Sequence, residues 1–339
     1  MPQSGSLPGG ADVHPLVSVI IVTWNGIKWL ERCLDSVQAQ TYPQLETIVV
    51  DNGSTDGTVA YLEESYPNVR VVASSENLGF AAGNNLGIEA ARGQEIVLLN
   101  SDTWLEPDAI AGLVEERRRR GLDVIGPREG DYWTGEARER YTAQIDPWGY
   151  PVFREVRNSG RRSFYISGVC LLFPADLYRA TDGLDSAYFM YCEEVDWFWR
   201  LLLLGKEFDY SQDVVVYHAG MGSGGAGIDR QRFLWRNQNT LMMLLTNYEL
   251  RTLAWVLPTF AMGCLVEALA FVAVGRRDVA ATYPQGWWLA ARELRETLRK
   301  RRRVQSLRTV SDGQLRSRMY LGFGKLRHLV EFAGERRRS

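Results

Sequence analysis

Four apolar residues, Ile96-Val97-Leu98-Leu99, run without a break into Asn100-Ser101-Asp102-Thr103. A short apolar run bounded so sharply suits a strand buried on both faces, as inside a parallel sheet. In open α/β sheets ligands collect at the carboxyl ends of strands, where Asn100 and Asp102 fall. Alternation puts side chains i and i+2 on one face. A pair of oxygen-bearing side chains there suits Mg²⁺ or Mn²⁺, hard cations that share their oxygen ligands with substrate phosphates. A strand that runs into an ordinary polar turn has the same pattern.

Upstream, Val17–Val22, Thr47–Val50 and Val69–Ala73 read as further strands, separated by helical spacings such as Leu30, Cys33, Leu34 and Val37. Buried strands alternating with short helices predict an α/β, doubly wound sheet. The turns Thr23-Trp24-Asn25-Gly26, Asp51 to Gly57 and Asn100 to Asp102 then share one edge, and a nucleotide can lie across it. Asp51 can accept a hydrogen bond from the N3–H of uracil or thymine. The Gly79 to Gly83 turn lets backbone N–H groups approach a diphosphate at a helix start. It is not a dinucleotide GxGxxG, and no Walker lysine motif exists.

From Pro127 to Ser163 the pattern is irregular, and Phe164–Phe173 reads as a strand. Glu193-Glu194-Val195-Asp196 opens a helix, with Val195, Trp199, Leu202 and Leu203 at helical spacing. Asp196 and Arg200 can pair one turn apart, and three carboxylates at a helix start also complement the helix dipole. Asp213–His218 reads as a last strand, followed by the Gly-rich segment 220–227.

The formal charge of −2 hides basic runs at Arg117–Arg120 and at 299–303. No nucleic-acid recognition motif accompanies them, so a nucleic-acid partner is not expected. The 4 cysteines are scattered without a CxxC pair, which fits reduced thiols and gives no zinc signal. Residues 1–15 are expected to be a disordered tail, 16–228 the α/β domain, and 229–339 a helical, basic, membrane-associating region. Leu253 to Val274 is nearly all apolar with Glu267 its only charge. It is long enough to span a bilayer. Arginines at both ends, and Trp287 and Trp288 beyond, favour instead a shallow mount on the cytoplasmic face of the cell membrane, without a full span.

Together, Thr23-Trp24-Asn25, Asp51 to Gly57, Asn77-Leu78-Gly79 with Gly83-Asn84-Asn85, Leu99 to Asp102, Glu193 to Asp196 and His218 resemble the family 2 glycosyltransferases of GT-A fold, with the finer likeness to rhamnosyltransferase-like members. The resemblance implies inverting transfer of a sugar, rhamnose favoured, from a dTDP- or UDP-sugar to a hydroxyl of a lipid-linked or cell-surface polysaccharide acceptor. It implies that Asp51 holds the base and that Thr23, Asn25, Gly79, Asn84, Asn100 and Ser101 line the donor nucleotide. Asp102 and His218 would hold a divalent metal, Mg or Mn. Glu194 would be the general base, with Glu193, Asp196 and Trp197 on the acceptor side or supporting. Two positions depart from the family pattern: Asn100 stands at the first acid of a DxD, and Glu194 where Asp is common. Gln231-Arg232-Phe233-Leu234-Trp235 has Leu at the arginine of QxxRW, which argues against a processive synthase. A nucleotidyltransferase, or a non-catalytic membrane scaffold with a degenerate sugar-nucleotide fold, are the competing readings.

Overall fold

The structure is a computed structural model that describes residues 14–139, 141–155, 162–220 and 229–324. Most of the expected N-terminal tail and of the Gly-rich segment after His218 therefore lie outside the described residues. The chain forms β1 (Val17–Thr23), α1 (Ile27–Gln38), β2 (Leu45–Asn52), α2 (Thr58–Ser65), β3 (Arg70–Ser74), α3 (Gly79–Ala90), β4 (Glu95–Asn100), β5 (Thr103–Leu105), α4 (Ala109–Arg120) and β6 (Val124–Asp131). Next come β7 (Tyr141–Ile145), β8 (Pro151–Glu155), β9 (Cys170–Pro174), α5 (Ala175–Ala180), α6 (Glu193–Leu203), β10 (Phe208–His218) and α7 (Arg230–Asn247). Helices α8 (Leu250–Ala273), α9 (Arg277–Ala280), α10 (Thr282–Arg292), α11 (Leu294–Leu307) and α12 (Asp312–Leu315) follow.

Eight strands form one sheet in the order β3-β2-β1-β4-β9-β6-β10-β5. Strands β3, β2, β1 and β4 are parallel, as the alternation of strands and helices predicts. Strand β9 then enters antiparallel to both β4 and β6, and β5 lies antiparallel to β10, so the sheet as a whole is mixed. Period-two alternation divides its core between two faces. Val19, Ile21, Val49, Val97 and Leu99 pack with Leu30 and Leu34 of α1 and with Ile110 and Leu113 of α4. Ile20, Ile48, Val50, Ile96 and Leu98 belong to the opposite core with Ala81 and Ile88 of α3 and Phe198 of α6. Burial on both faces is why these strands read as continuous apolar runs.

Two expectations change. The predicted strand Phe164–Phe173 is a strand only from Cys170; before it, Phe164 N–H bonds to Ala143 O and Ser167 N–H to the Tyr210 hydroxyl. Its apolar side chains are buried without a ladder, a distinction hydropathy cannot make. The stretch read as irregular holds most of β6 and the β7–β8 hairpin.

Asp196 and Arg200 do form an ion pair, at 2.9 Å, but they form it inside the core. The guanidinium also donates to the carbonyls of Thr181 and Gly183, and Asn247 Nδ2 donates to Asp196 Oδ1 at 2.7 Å. This network joins α6, α7 and the turn after α5. Arg200→Met would leave the Asp196 charge buried without its cation. Removing one member of a buried pair typically costs about 3–5 kcal/mol. Urea unfolding should show a loss of that order, and a loss below ~1 kcal/mol would mean that the network is not structural.

Candidate functional site

The carboxyl edge of the sheet is built by three loops tied to one another. Thr23 and Asp51 are register partners on β1 and β2. Both are buried, and Thr23 Oγ1 and Asp51 Oδ1 have no hydrogen-bond partner among the described residues. The other Asp51 oxygen accepts the Ser54 N–H. Asn25 sits at φ +49°; its N–H donates to Ser54 Oγ and its Oδ1 accepts the Thr55 N–H at 2.8 Å. Asp56 accepts N–H groups from both Ile27 and Thr58. Asn52, which the sequence did not single out, reaches the third loop: it donates to Asn77 Oδ1 and Gly79 O and accepts the Leu78 N–H.

The glycines of that third loop face protein. Gly79 has φ +82°, and a Cβ there would overlap the Phe189 carbonyl. A Cβ on Gly83 would press on Val22 and the Asn52 amide. Asn84 is buried, its Nδ2 donating to Phe80 O within α3. Packing of α3 thus explains the glycines that the sequence suggested were cleared for a diphosphate. Asn100 lies at the end of β4, where its carbonyl accepts from the Thr103 hydroxyl. Ser101 and Asp102 follow in the turn to β5.

Antiparallel pairing of β5 with β10 sets His218 opposite Thr103, and so brings His218 beside Asp102. Nε2 of His218 is 3.3 Å from Asp102 Oδ1, and Nδ1 is 3.9 Å from Glu129 Oε2. Burial disfavours the imidazolium, but the two carboxylates outweigh it and push the pKa up to about 9. Glu129 also accepts the Tyr141 hydroxyl at 2.7 Å. It lies on the inserted strand β6, in a stretch whose sequence gave no sign of it. One carboxylate and one imidazole fit an ion such as Mn²⁺ that takes its other ligands from phosphate oxygens and water. Among the described residues no group of three or more His, Cys, Asp or Glu side chains forms a closed metal site.

The acidic segment stands on strained backbone. Tyr191 and Cys192, neither of them glycine, have φ +71° and +73° immediately before α6. Asn239 of α7 holds that turn by donating to the carbonyls of Met190 and Tyr191 at 2.9 and 2.8 Å. Strain of this kind persists only where its surroundings over-determine it. The turn delivers Glu193 and Glu194, each with an Oε2 that has no partner among the described residues. Burial raises the pKa of both. The neighbouring Glu194 adds to the rise at Glu193, and backbone N–H groups at the helix start oppose it at Glu194. Asp196 and Trp197 are occupied elsewhere. Asp196 pairs with Arg200, and Trp197 is fully buried, its Nε1 donating to Thr181 Oγ1.

Glu194 also borders a cavity of about 560 Å³ between the sheet domain and the C-terminal helices. Its walls include Trp148, Tyr165, Tyr191, Arg236, Phe260 and Phe271. None of Thr23, Asp51, Asp102 and His218 lines it.

The glycosyl transferase family 2 model matches residues 18–181. That segment is a family 2 glycosyltransferase domain. Its GT-A architecture is shared, at 20% identity and a TM-score of 0.52, with a mannosyltransferase from Pyrobaculum calidifontis solved with GDP-Man and Mn²⁺, over 87% of this chain and 86% of that one. The chain is 29% identical over 243 residues to the N-acetylglucosaminyl-diphospho-decaprenol L-rhamnosyltransferase of Mycobacterium tuberculosis, covering 63% of this chain and 78% of that protein. It is 40% identical over 147 residues to chondroitin synthase of Escherichia coli. That match covers 39% of this chain and 21% of the synthase, so the chain spans about a fifth of the length of that relative. In the glycosyltransferase fold, Glu193 and Glu194 belong to α6, beyond the matched segment.

A carboxyl group whose pKa is raised on folding is at no disadvantage below its unfolded pKa, and destabilises the fold increasingly as pH climbs toward its folded value. Glu193→Gln should therefore raise the melting temperature at pH 8, and the gain should shrink as pH falls into the ordinary carboxylate range. Thermal unfolding from pH 4 to 8 measures this; a gain independent of pH would contradict the burial of an ionisable Glu193.

Proposed function

We propose that this chain transfers a sugar, with inversion, from a nucleotide-diphosphate donor to a hydroxyl of a lipid-linked acceptor, and that Glu194 is the base. The observation that carries this reading is the Glu194 carboxyl at the wall of a large aromatic cavity, with a buried Oε2 that has no partner among the described residues and a pKa raised by burial. A base works best with a pKa near the operating pH, and a positioned carboxylate contributes about 10²–10⁴-fold. On this reading Glu194 takes the proton of the acceptor hydroxyl as that oxygen bonds to the anomeric carbon and the bond to the donor diphosphate breaks.

The donor is read as a dTDP- or UDP-sugar. The buried, unpartnered Asp51 Oδ1 supplies an acceptor for a pyrimidine N3–H, with Thr23, Asn25, Asn100 and Ser101 around it. Rhamnose is favoured by the likeness to the mycobacterial rhamnosyltransferase alone. Asp102 and His218 would hold a divalent ion, which when bound would supply Lewis-acid stabilisation of the leaving diphosphate. The residues of this chain do the rest: Asp51 orients the base, the tied loops fix the donor edge, and Glu194 receives the proton.

Glu194→Gln should lower kcat by about 10²–10⁴-fold while calorimetric affinity for dTDP or UDP with Mn²⁺ stays near wild type. Parallel loss of nucleotide affinity would assign Glu194 a structural part instead. Tighter binding of GDP than of dTDP or UDP would remove the pyrimidine assignment.

We also place the protein on the cytoplasmic face of the membrane, on α8 without a full span. Pro258 and Gly263 do not interrupt this helix. One face, with Leu253, Val256, Phe260, Cys264 and Phe271, is buried and carries Glu267, whose carboxylate accepts the Tyr283 hydroxyl at 3.0 Å. The opposite face exposes Trp255, Met262, Leu265, Val266, Leu269 and Val272. A helix half claimed by protein along its whole length fits an interfacial mount, with arginines such as Arg276 and Arg292 near anionic headgroups. The wild type should float with anionic vesicles. Replacing Met262, Leu265 and Leu269 together by Glu should abolish flotation while the fold is kept, and persistent flotation of that variant would show that α8 is not the mount.

A further inference from the structure

The cavity beside Glu194 contains an arginine pair that the chemistry so far leaves unused. Arg232 and Arg236 lie one turn apart on α7, on the same face as Thr240, and all three line the cavity. Residues four apart on a helix are neighbours, so the two guanidinium groups can serve one ligand. Arg236 lies over the Tyr150 ring at 5.1 Å, and among the described residues it has no carboxylate within ion-pair distance. Among the described residues Arg232 pairs with Asp229 at 3.7 Å, and Asp229 is half exposed. A partly exposed pair of this kind contributes little, so a more highly charged anion can take its place.

We infer that Arg232 and Arg236 form a binding site for the diphosphate of the acceptor, separate from the donor site and positioned to present the acceptor sugar to Glu194. This rests on the transferase reading and deepens it. The guanidinium fork matches phosphate oxygens in pairs and stays charged when partly desolvated. The aromatic walls suit the faces of a sugar. Phe260 and Phe271 come from α8, the helix whose other face is exposed and apolar. A prenyl chain leaving the cavity alongside α8 would reach that face by passing around the helix.

A donor nucleotide carries the same diphosphate chemistry, so the test must separate the two sources. Calorimetry on the full chain would use geranyl diphosphate, inorganic pyrophosphate, geraniol and dTDP with Mn²⁺. Geranyl diphosphate should bind in the absence of nucleotide, more tightly than pyrophosphate, and geraniol should not bind measurably. Its affinity should be unchanged with dTDP already bound. Arg236→Gln should weaken it at least tenfold and Arg232→Gln at least threefold, while both keep dTDP affinity within twofold. Arg232 lies at the rim, so its variant keeps the test decisive if Arg236→Gln misfolds. Wild-type affinity for geranyl diphosphate in both variants would overturn the proposal, as would its displacement by dTDP. Because the geranyl diphosphate arm runs without nucleotide, failure of dTDP to bind counts against the donor reading alone.

Discussion

The start of helix α6 is held at two points by a single helix, α7. At the start of α6, Asn239 binds the carbonyls of Met190 and Tyr191 and so fixes two consecutive left-handed residues. Further along, Asn247 binds Asp196, which is already paired with Arg200. The two asparagines are eight residues apart, on roughly one helical face. Without the first, the turn that delivers Glu194 loses two hydrogen bonds to its strained segment. Without the second, a buried carboxylate loses one of its hydrogen bonds.

This arrangement makes the C-terminal helices part of the site. The cavity has walls from the β7–β8 hairpin, from α6, and from α7, α8 and α10. The cavity beside Glu194 is therefore assembled late in the chain, whereas the edge that carries Asp51, Asp102 and His218 is complete once β10 has paired with β5. The same helix α8 gives one face to this cavity and the other to solvent. One element thus carries both an exposed apolar face and part of the cavity wall.

The carboxyl edge of the sheet depends on a different device. Its three loops are cross-linked by short polar side chains, with Asn25 reaching the second loop, Asp56 the first, and Asn52 the third. These bonds satisfy backbone groups that would otherwise compete for the edge. Thr23 Oγ1 and Asp51 Oδ1 are left over, side by side on neighbouring strands. Unsatisfied buried acceptors in a rigid frame are costly, and a ligand donor is the natural remedy.

The sequence by itself determined the parallel half of the sheet and the edge at which its polar turns meet. A strand buried on both faces must be apolar throughout, and its first polar residues must fall at its end, so Leu99-Asn100 and Val50-Asp51 could be read directly. It also marked Asp102, His218 and the acidic segment as chemistry-bearing. What it could not determine was which of the three acids Glu193, Glu194 and Asp196 borders the cavity. The Asp196–Arg200 pair was legible as a one-turn spacing within α6, but its burial, the Asn247 contact and the bond from Trp197 to Thr181 involve other elements, and only tertiary packing shows them. Nor could it find Glu129, 89 positions from His218, Asn239, 48 positions from Tyr191, or the pair Arg232 and Arg236, which gains meaning from the cavity. Local pattern records what a residue needs from its neighbours in sequence. Antiparallel insertion of β9, the strained turn at Tyr191 and the cavity under α8 are decided by contacts between distant segments, for which a single sequence carries no periodic signal.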